Sequence, residues 1–140
     1  PIWWAEWYVD PASATWPPER QIALRVAAMI ELASTAPDTV LYWNAGSGGP
    51  ECPTCLWTDT RMVDGGQPLP FLTDFLQRFV KEFPPNVDRQ KVSIADGLLA
   101  LASPRALLIV NTTDSAISAP VDGRTVQFSA YDTRWITAQP

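Results

Sequence analysis

One carboxylate, Glu6, stands among Trp3, Trp4, Trp7 and Tyr8 in the opening stretch PIWWAEWYVDP. A lone charge in such apolar company is costly unless a partner neutralises it or chemistry uses it. The 140 residues contain no histidine, so a histidine base, a histidine-activated nucleophile and a histidine metal ligand are all excluded. Acid, base or nucleophilic work must rest on carboxylates, tyrosine or cysteine. Glu6 is therefore the first candidate for a reacting group, with Tyr8 on the same face of an alternating strand as a hydrogen-bonding neighbour. The bland alternative is a strand-end carboxylate that reaches solvent or pairs with an arginine.

A second cluster follows in TVLYWNAGSGG, where Trp43 and Asn44 end a strand-like run and a glycine-rich loop succeeds them. Such a loop lets a ligand approach the backbone closely. Trp43 offers a flat stacking surface, although plain core packing would use the same residue. Farther along, CLWTDTRM places Trp57, Asp59 and Arg61 in the same long loop as possible ligand contacts.

The pair in ECPTC, Cys52 and Cys55, has the spacing of a redox dithiol. It lies in a Gly- and Pro-rich loop without the helix N-terminus that lowers a thiol pKa, so a small structural disulfide is the better reading. A zinc site would need two further ligands, and this chain has no other cysteine and no histidine. Nothing in the sequence calls for a cofactor.

The elements that position these residues are legible from period and punctuation. Strand patterns cover about 2 to 9 and 39 to 44, and helical patterns about 18 to 35 and 70 to 83. Pro17 and Pro18 open the first helix, where a missing N–H costs nothing, and Pro37 lies just past its end. Its apolar stripe is Ile22, Val26, Met29, Ile30 and Ala33. The second helix carries Phe71, Leu72, Phe75, Leu76, Phe79, Val80 and Phe83 before Pro84 and Pro85 stop it. Strand, helix, strand, helix implies parallel pairing through a crossover. Two parallel strands cannot close a domain, since both sheet faces and both edges need cover, so more strands are expected from outside this chain.

From about residue 91 the pattern changes to short alternating runs: KVSIAD, LLALAS, RALLIVNTT, AISAPV and TVQFSAYDTRWITA. Turn pairs at Asp96-Gly97, Ser103-Pro104, Asp114-Ser115 and Asp122-Gly123 separate them, as in a β-meander or half of a sandwich. The expected fold is thus α/β followed by all-β, with 1–85 as one domain, 86–140 as β-sandwich strands, and PPNVDRQ as the link.

Charge and composition narrow the partners. A net charge of -5 with ten scattered basic residues argues against a nucleic-acid groove, and no apolar run is long enough to span a bilayer. Seven Trp in 140 residues suit an extracytoplasmic protein that stacks on sugar rings. The chain opens on Pro1 directly against a strand pattern, which reads as the downstream part of something longer.

WWAEWY followed by a helix, then VLYWN followed by a long loop, a helix and a β region, resembles the last quarter of a clan A retaining glycoside hydrolase. That family has a (β/α)8, or TIM, barrel and often a C-terminal β-sandwich, some of whose strands come from before the barrel. Heparanase-like glucuronidases and xylosidase- or iduronidase-like enzymes share this plan. The resemblance implies that Glu6 is the nucleophile at the end of strand seven and that Trp43 lines the sugar site at the end of strand eight. It also implies a second, acid/base glutamate upstream of Pro1, a carbohydrate substrate, and secretion or display at the cell surface. The rival expectation is a non-catalytic carbohydrate-binding or surface-interaction module, with Glu6 structural.

Overall fold

The computed structural model describes residues 2–7, 9, 15–42 and 51–137; the side chains of Ala5, Glu6 and Tyr42 lie outside that description. In chain order the elements are β1 (Trp3–Trp7), α1 (Pro18–Ser34), β2 (Thr39–Tyr42) and α2 (Pro70–Glu82). They are followed by β3 (Gln90–Ala95), β4 (Leu98–Ala102), β5 (Ala106–Asn111), β6 (Ile117–Val121), β7 (Arg124–Phe128) and β8 (Thr133–Thr137). Helices and strands alternate up to residue 82, and only strands follow.

β1 and β2 pair in parallel, as the intervening helix requires, with Trp3 opposite Thr39 and Trp4 opposite Val40. The pair is tied at its start, where the Ile2 N–H donates to Asp38 Oδ2 at 2.7 Å and the Asp38 N–H donates to the Ile2 carbonyl at 2.9 Å. Between Trp4 and Trp7 the register shifts, because Trp7 stands opposite Tyr42. Three steps along β1 therefore match two along β2, which is the count of a β-bulge. The unbroken alternation expected over 2 to 9 ends there, and Trp7 shares the register face of Trp4 instead of the opposite one.

The other strands form an antiparallel sheet in the order β3-β4-β5-β8 and a separate β6-β7 hairpin. Alternation assigns the sheet two buried faces. Leu101, Ala106, Leu108 and Val110 join Ala23, Val26, Met29 and Ile30 of α1 and Leu72 and Phe75 of α2 in one core. Leu98, Ala100 and Ile109 point the other way, onto Ala119, Val121 and Phe128 of the hairpin. The result is helices, sheet and hairpin in three layers. The first core contains residues from both sides of position 85, so the helices and the β region are packed together directly.

Polar contacts reinforce that joint at the helix C-termini, where carbonyls lack helical partners. Arg89 Nε donates to the Ala33 carbonyl at 3.1 Å and its Nη1 to the Pro84 carbonyl at 3.4 Å. Ser103 Oγ donates to the Glu82 carbonyl at 3.1 Å, Arg105 Nη1 to the Lys81 carbonyl at 3.2 Å, and Lys91 Nζ pairs with Glu31 at 2.7 Å. An aromatic row fixes α2 against β8: Trp135 lies 5.5 Å from Phe75 and 5.8 Å from Phe83, with the Arg78 guanidinium 4.6 Å from the Trp135 ring.

Two expectations need correction. The apolar stripe of α2 is narrower than its sequence period implies, for Phe71 is 49% and Val80 63% exposed while Leu72 and Phe75 are buried. The run TVQFSAYDTRWITA is two strands in different sheets, broken at Tyr131, whose φ is +55°. The buried Asn111 explains the break: its Nδ2 donates to the carbonyls of Ser115 and Ser129 at 2.8 Å each, and its Oδ1 accepts from the Thr113 N–H and hydroxyl. It clamps both ends of the β6-β7 excursion, so β8 returns beside β5. The excursion itself turns at Asp122 and Gly123, with φ of +50° and +74°, the two left-handed residues that a type I′ hairpin demands.

Candidate functional site

β1 and β2 run in the same direction, so the chain leaves both at one end. In parallel α/β architectures the side chains at such strand exits converge on the segments that follow them. Glu6 lies on β1 one residue before its end, within the bulged segment. Bulges of this kind are common beside active sites, because they re-aim the side chains that follow them. Tyr8, Trp43 and Asn44 fall outside the described residues.

Trp57 is described, and it stands on a hydrogen-bonded scaffold. An antiparallel bridge joins Trp57 to Pro68. Thr58 N–H donates to the Gln67 carbonyl at 2.9 Å, Gln67 N–H to Thr58 Oγ1 at 3.0 Å, and Leu69 N–H to the Leu56 carbonyl at 2.8 Å. The turn within this loop is held by Asp59, which accepts from the Arg61 N–H at 2.9 Å and from Arg61 Nε at 2.9 and 3.1 Å. The hydrogen bonds from the Arg61 side chain, then that from its backbone, hold the Asp59 carboxyl at about 2, below its usual 3.8. Gly65 closes the turn, where a Cβ would come within 2.0 Å of the Asp59 carbonyl oxygen. Trp57 is left 40% exposed beside a shallow cleft of about 310 Å³ that Leu56, Gly66, Pro68 and Thr73 also line.

Cys52 and Cys55 form a disulfide, with Cα atoms 5.6 Å apart. Cys55 is buried and the bridge anchors the same loop, which accords with a structural role. Among the described residues no group of three or more potential ligands gathers for a metal ion, and no helix is long and apolar enough to cross a membrane.

A separate cavity of about 270 Å³ lies between α1, α2 and the strand pair, lined chiefly by Trp7, Met29, Leu76, Phe79 and Phe83. Its polar rim is already engaged: Asp38 accepts from Ile2, and Arg89 donates to helix-end carbonyls. This is an apolar packing gap between the helices and the strand pair.

The residue that sequence reasoning passed over is Arg25. It is only 2% exposed on α1, donates from Nη1 to the Gln21 carbonyl at 3.3 Å, and has a further interaction besides. The signal was present, since Arg25 lies four residues before Met29 and three after Ile22, on the inward face. A buried guanidinium there is as unusual as Glu6 among its tryptophans. No family model, curated protein or solved structure matches this chain.

Proposed function

We propose that this chain is the C-terminal portion of a secreted retaining glycoside hydrolase, with Glu6 as its carboxylate nucleophile. The observation that carries the reading is the parallel β1-β2 pair joined through α1, with Glu6 one residue before the end of β1. Such a pair needs further strands on its edges, as the last quarter of an eight-stranded barrel would have. Ile2, Trp3 and Leu41 are 50%, 68% and 53% exposed in this chain, which suits a sheet that continues into other strands. The antiparallel sheet with its two-stranded cover suits part of a C-terminal sandwich, and the disulfide suits an oxidising compartment.

In this reading two carboxyl groups about 5 to 5.5 Å apart flank the glycosidic bond. The ionised Glu6 carboxylate attacks the anomeric carbon while an upstream carboxylic acid protonates the leaving oxygen. Water then attacks the glycosyl-enzyme ester, the upstream group accepting its proton, and Glu6 leaves as carboxylate. Trp43, Tyr8, Asn44 and Trp57 serve as sugar-binding groups around that centre.

Glu6→Gln in the complete enzyme is the test. The side chains are nearly isosteric, so folding and glycan binding should persist while turnover falls by about a thousandfold or more. Retention of most turnover on a substrate the parent cleaves would overturn the assignment. The half-exposed Trp3, Trp4 and Trp57 favour a second reading, a glycan-binding module without chemistry. That reading wins if the complete protein binds glycans and cleaves none.

A further inference from the structure

Asn111, Thr112 and Thr113 form an Asn-x-Thr triplet, the acceptor sequence for N-linked glycan transfer; neither Asn44 nor Asn86, the other two asparagines, begins one. Such triplets ordinarily carry their bulky glycan at the protein surface. This one is sealed inside the β region. Asn111 has no exposed surface, and it ends β5, an inner strand flanked by β4 and β8. It stands opposite Leu98 of β4, and its backbone N–H donates to the Asp132 carbonyl at 2.8 Å, just before β8 begins. Both protons of the acceptor nitrogen Nδ2 are in use, one on the Ser115 carbonyl and one on the Ser129 carbonyl. The two threonines are held as well. The Thr112 N–H and hydroxyl donate to the Gly97 carbonyl at 2.8 and 3.1 Å, and the Thr113 hydroxyl donates to Asn111 Oδ1 at 2.8 Å.

Glycan transfer from a lipid-pyrophosphate-linked sugar joins Nδ2 to the anomeric carbon, breaks the anomeric bond to the pyrophosphate oxygen and releases one Nδ2 proton. The proton that remains can serve Ser115 or Ser129 but not both, and the sugar would need space that packed protein already fills. Chain order, in contrast, leaves the amide open for a time. Ser129 lies 18 residues downstream of Asn111, so at roughly 5 to 20 residues/s of synthesis the clamp is incomplete for about 1 to 4 s.

We propose that Asn111 is a glycan acceptor open only before β8 docks, and that a glycan placed there bars the docking, so modification and folding of the β region exclude each other. The inference is independent of the glycosidase reading. It requires only that the chain pass through a compartment holding the transferase, and the Cys52–Cys55 disulfide suits the secretory route.

Synthesis of the full chain behind a secretion leader in a translation extract, with and without endoplasmic-reticulum microsomes, tests this. With microsomes a second species, heavier by one glycan, should appear and return to the parent mobility on endoglycosidase H treatment. Thr113→Val, which deletes the triplet but keeps Asn111, should lack it. That mobility shift reads the same whether or not the variant folds. Trypsin should cut the heavier species after Arg134 of β8 about tenfold faster or more than the unmodified one, since cleavage follows the undocked population. Phe128→Ala, which loosens the hairpin over the sheet, should raise the glycosylated share severalfold. Equal trypsin resistance of the two species overturns the inference, as does transfer to parent protein that was folded before it met lysed microsomes. A heavier species that persists in Thr113→Val overturns it too. So does the absence of any heavier species from both the parent and Phe128→Ala, because the triplet is then no acceptor even when uncovered.

Discussion

The β1-β2 pair and the β3-β4-β5-β8 sheet are built from equally apolar sequence, yet they bury it very differently. In the antiparallel sheet Leu98, Ala100, Leu101, Leu108, Ile109 and Val110 are at most 1% exposed, because helices cover one face and a hairpin the other. In the parallel pair Trp3, Trp4, Val40 and Leu41 remain 39% to 68% exposed. Hydrophobic content alone does not make a core; cover on both faces does. Parallel strands rarely persist without it, which makes the aromatic strand the part of this chain with most still to gain from contact.

The sharpest way to break this contrast is inside the covered sheet. Phe128→Ala removes a fully buried ring between hairpin and sheet and should cost about 3 to 5 kcal/mol of unfolding free energy, read from urea denaturation. Asn111→Ala should cost less, about 1 to 3 kcal/mol, since it strands the carbonyls of Ser115 and Ser129 without opening a large void. Its expected signature is local, with faster amide exchange at 112–116 and 129–132. On the uncovered strand, Trp3→Asn should change the stability of this chain by less than about 0.5 kcal/mol, although it deletes the largest side chain type. A loss of several kcal/mol there would mean that the strand is already covered.

The smallest effect is electrostatic and confined to the Trp57 loop. The folded-state carboxyl of Asp59 is depressed, so its pairing with Arg61 stabilises the loop fully above about pH 3.8 and loses that effect as pH falls toward about 2. The difference in melting temperature between the parent and Asp59→Asn should be constant above that window and disappear below it.

Much of the order of elements was legible because period and punctuation agree. Paired prolines mark the start of α1 and the residues after α2, and Asp-Gly turns separate β3 from β4 and β6 from β7. What escaped depends on partners distant in sequence. The split between β7 and β8 is dictated by Asn111, far upstream, and no local pattern near Tyr131 announces it. The width of α2's buried face is set by which phenylalanines meet Trp135, so Phe71 and Val80 kept the helical period yet stayed exposed. The bulge in β1 is likewise a product of pairing with β2. For the candidate site, residue type drew attention to Glu6 and Trp57, whereas the engagement of Arg61 by Asp59 is a matter of turn geometry that composition does not encode. Arg25 escaped for a different reason: a charged residue within an amphipathic helix is ordinarily assumed to face water.

Arg89 and Ser103 also bear on how such a chain can be inherited or transplanted. Each comes from the β region and satisfies carbonyls at the end of a helix, while Leu101, Leu108 and Val110 fill the space beneath both helices. Recombination that joined these strands to foreign helices would have to recreate that fit residue by residue. A module that travels intact therefore has to carry the helices together with β3–β8, straight across the proline pair at 84 and 85 where the sequence looks easiest to cut.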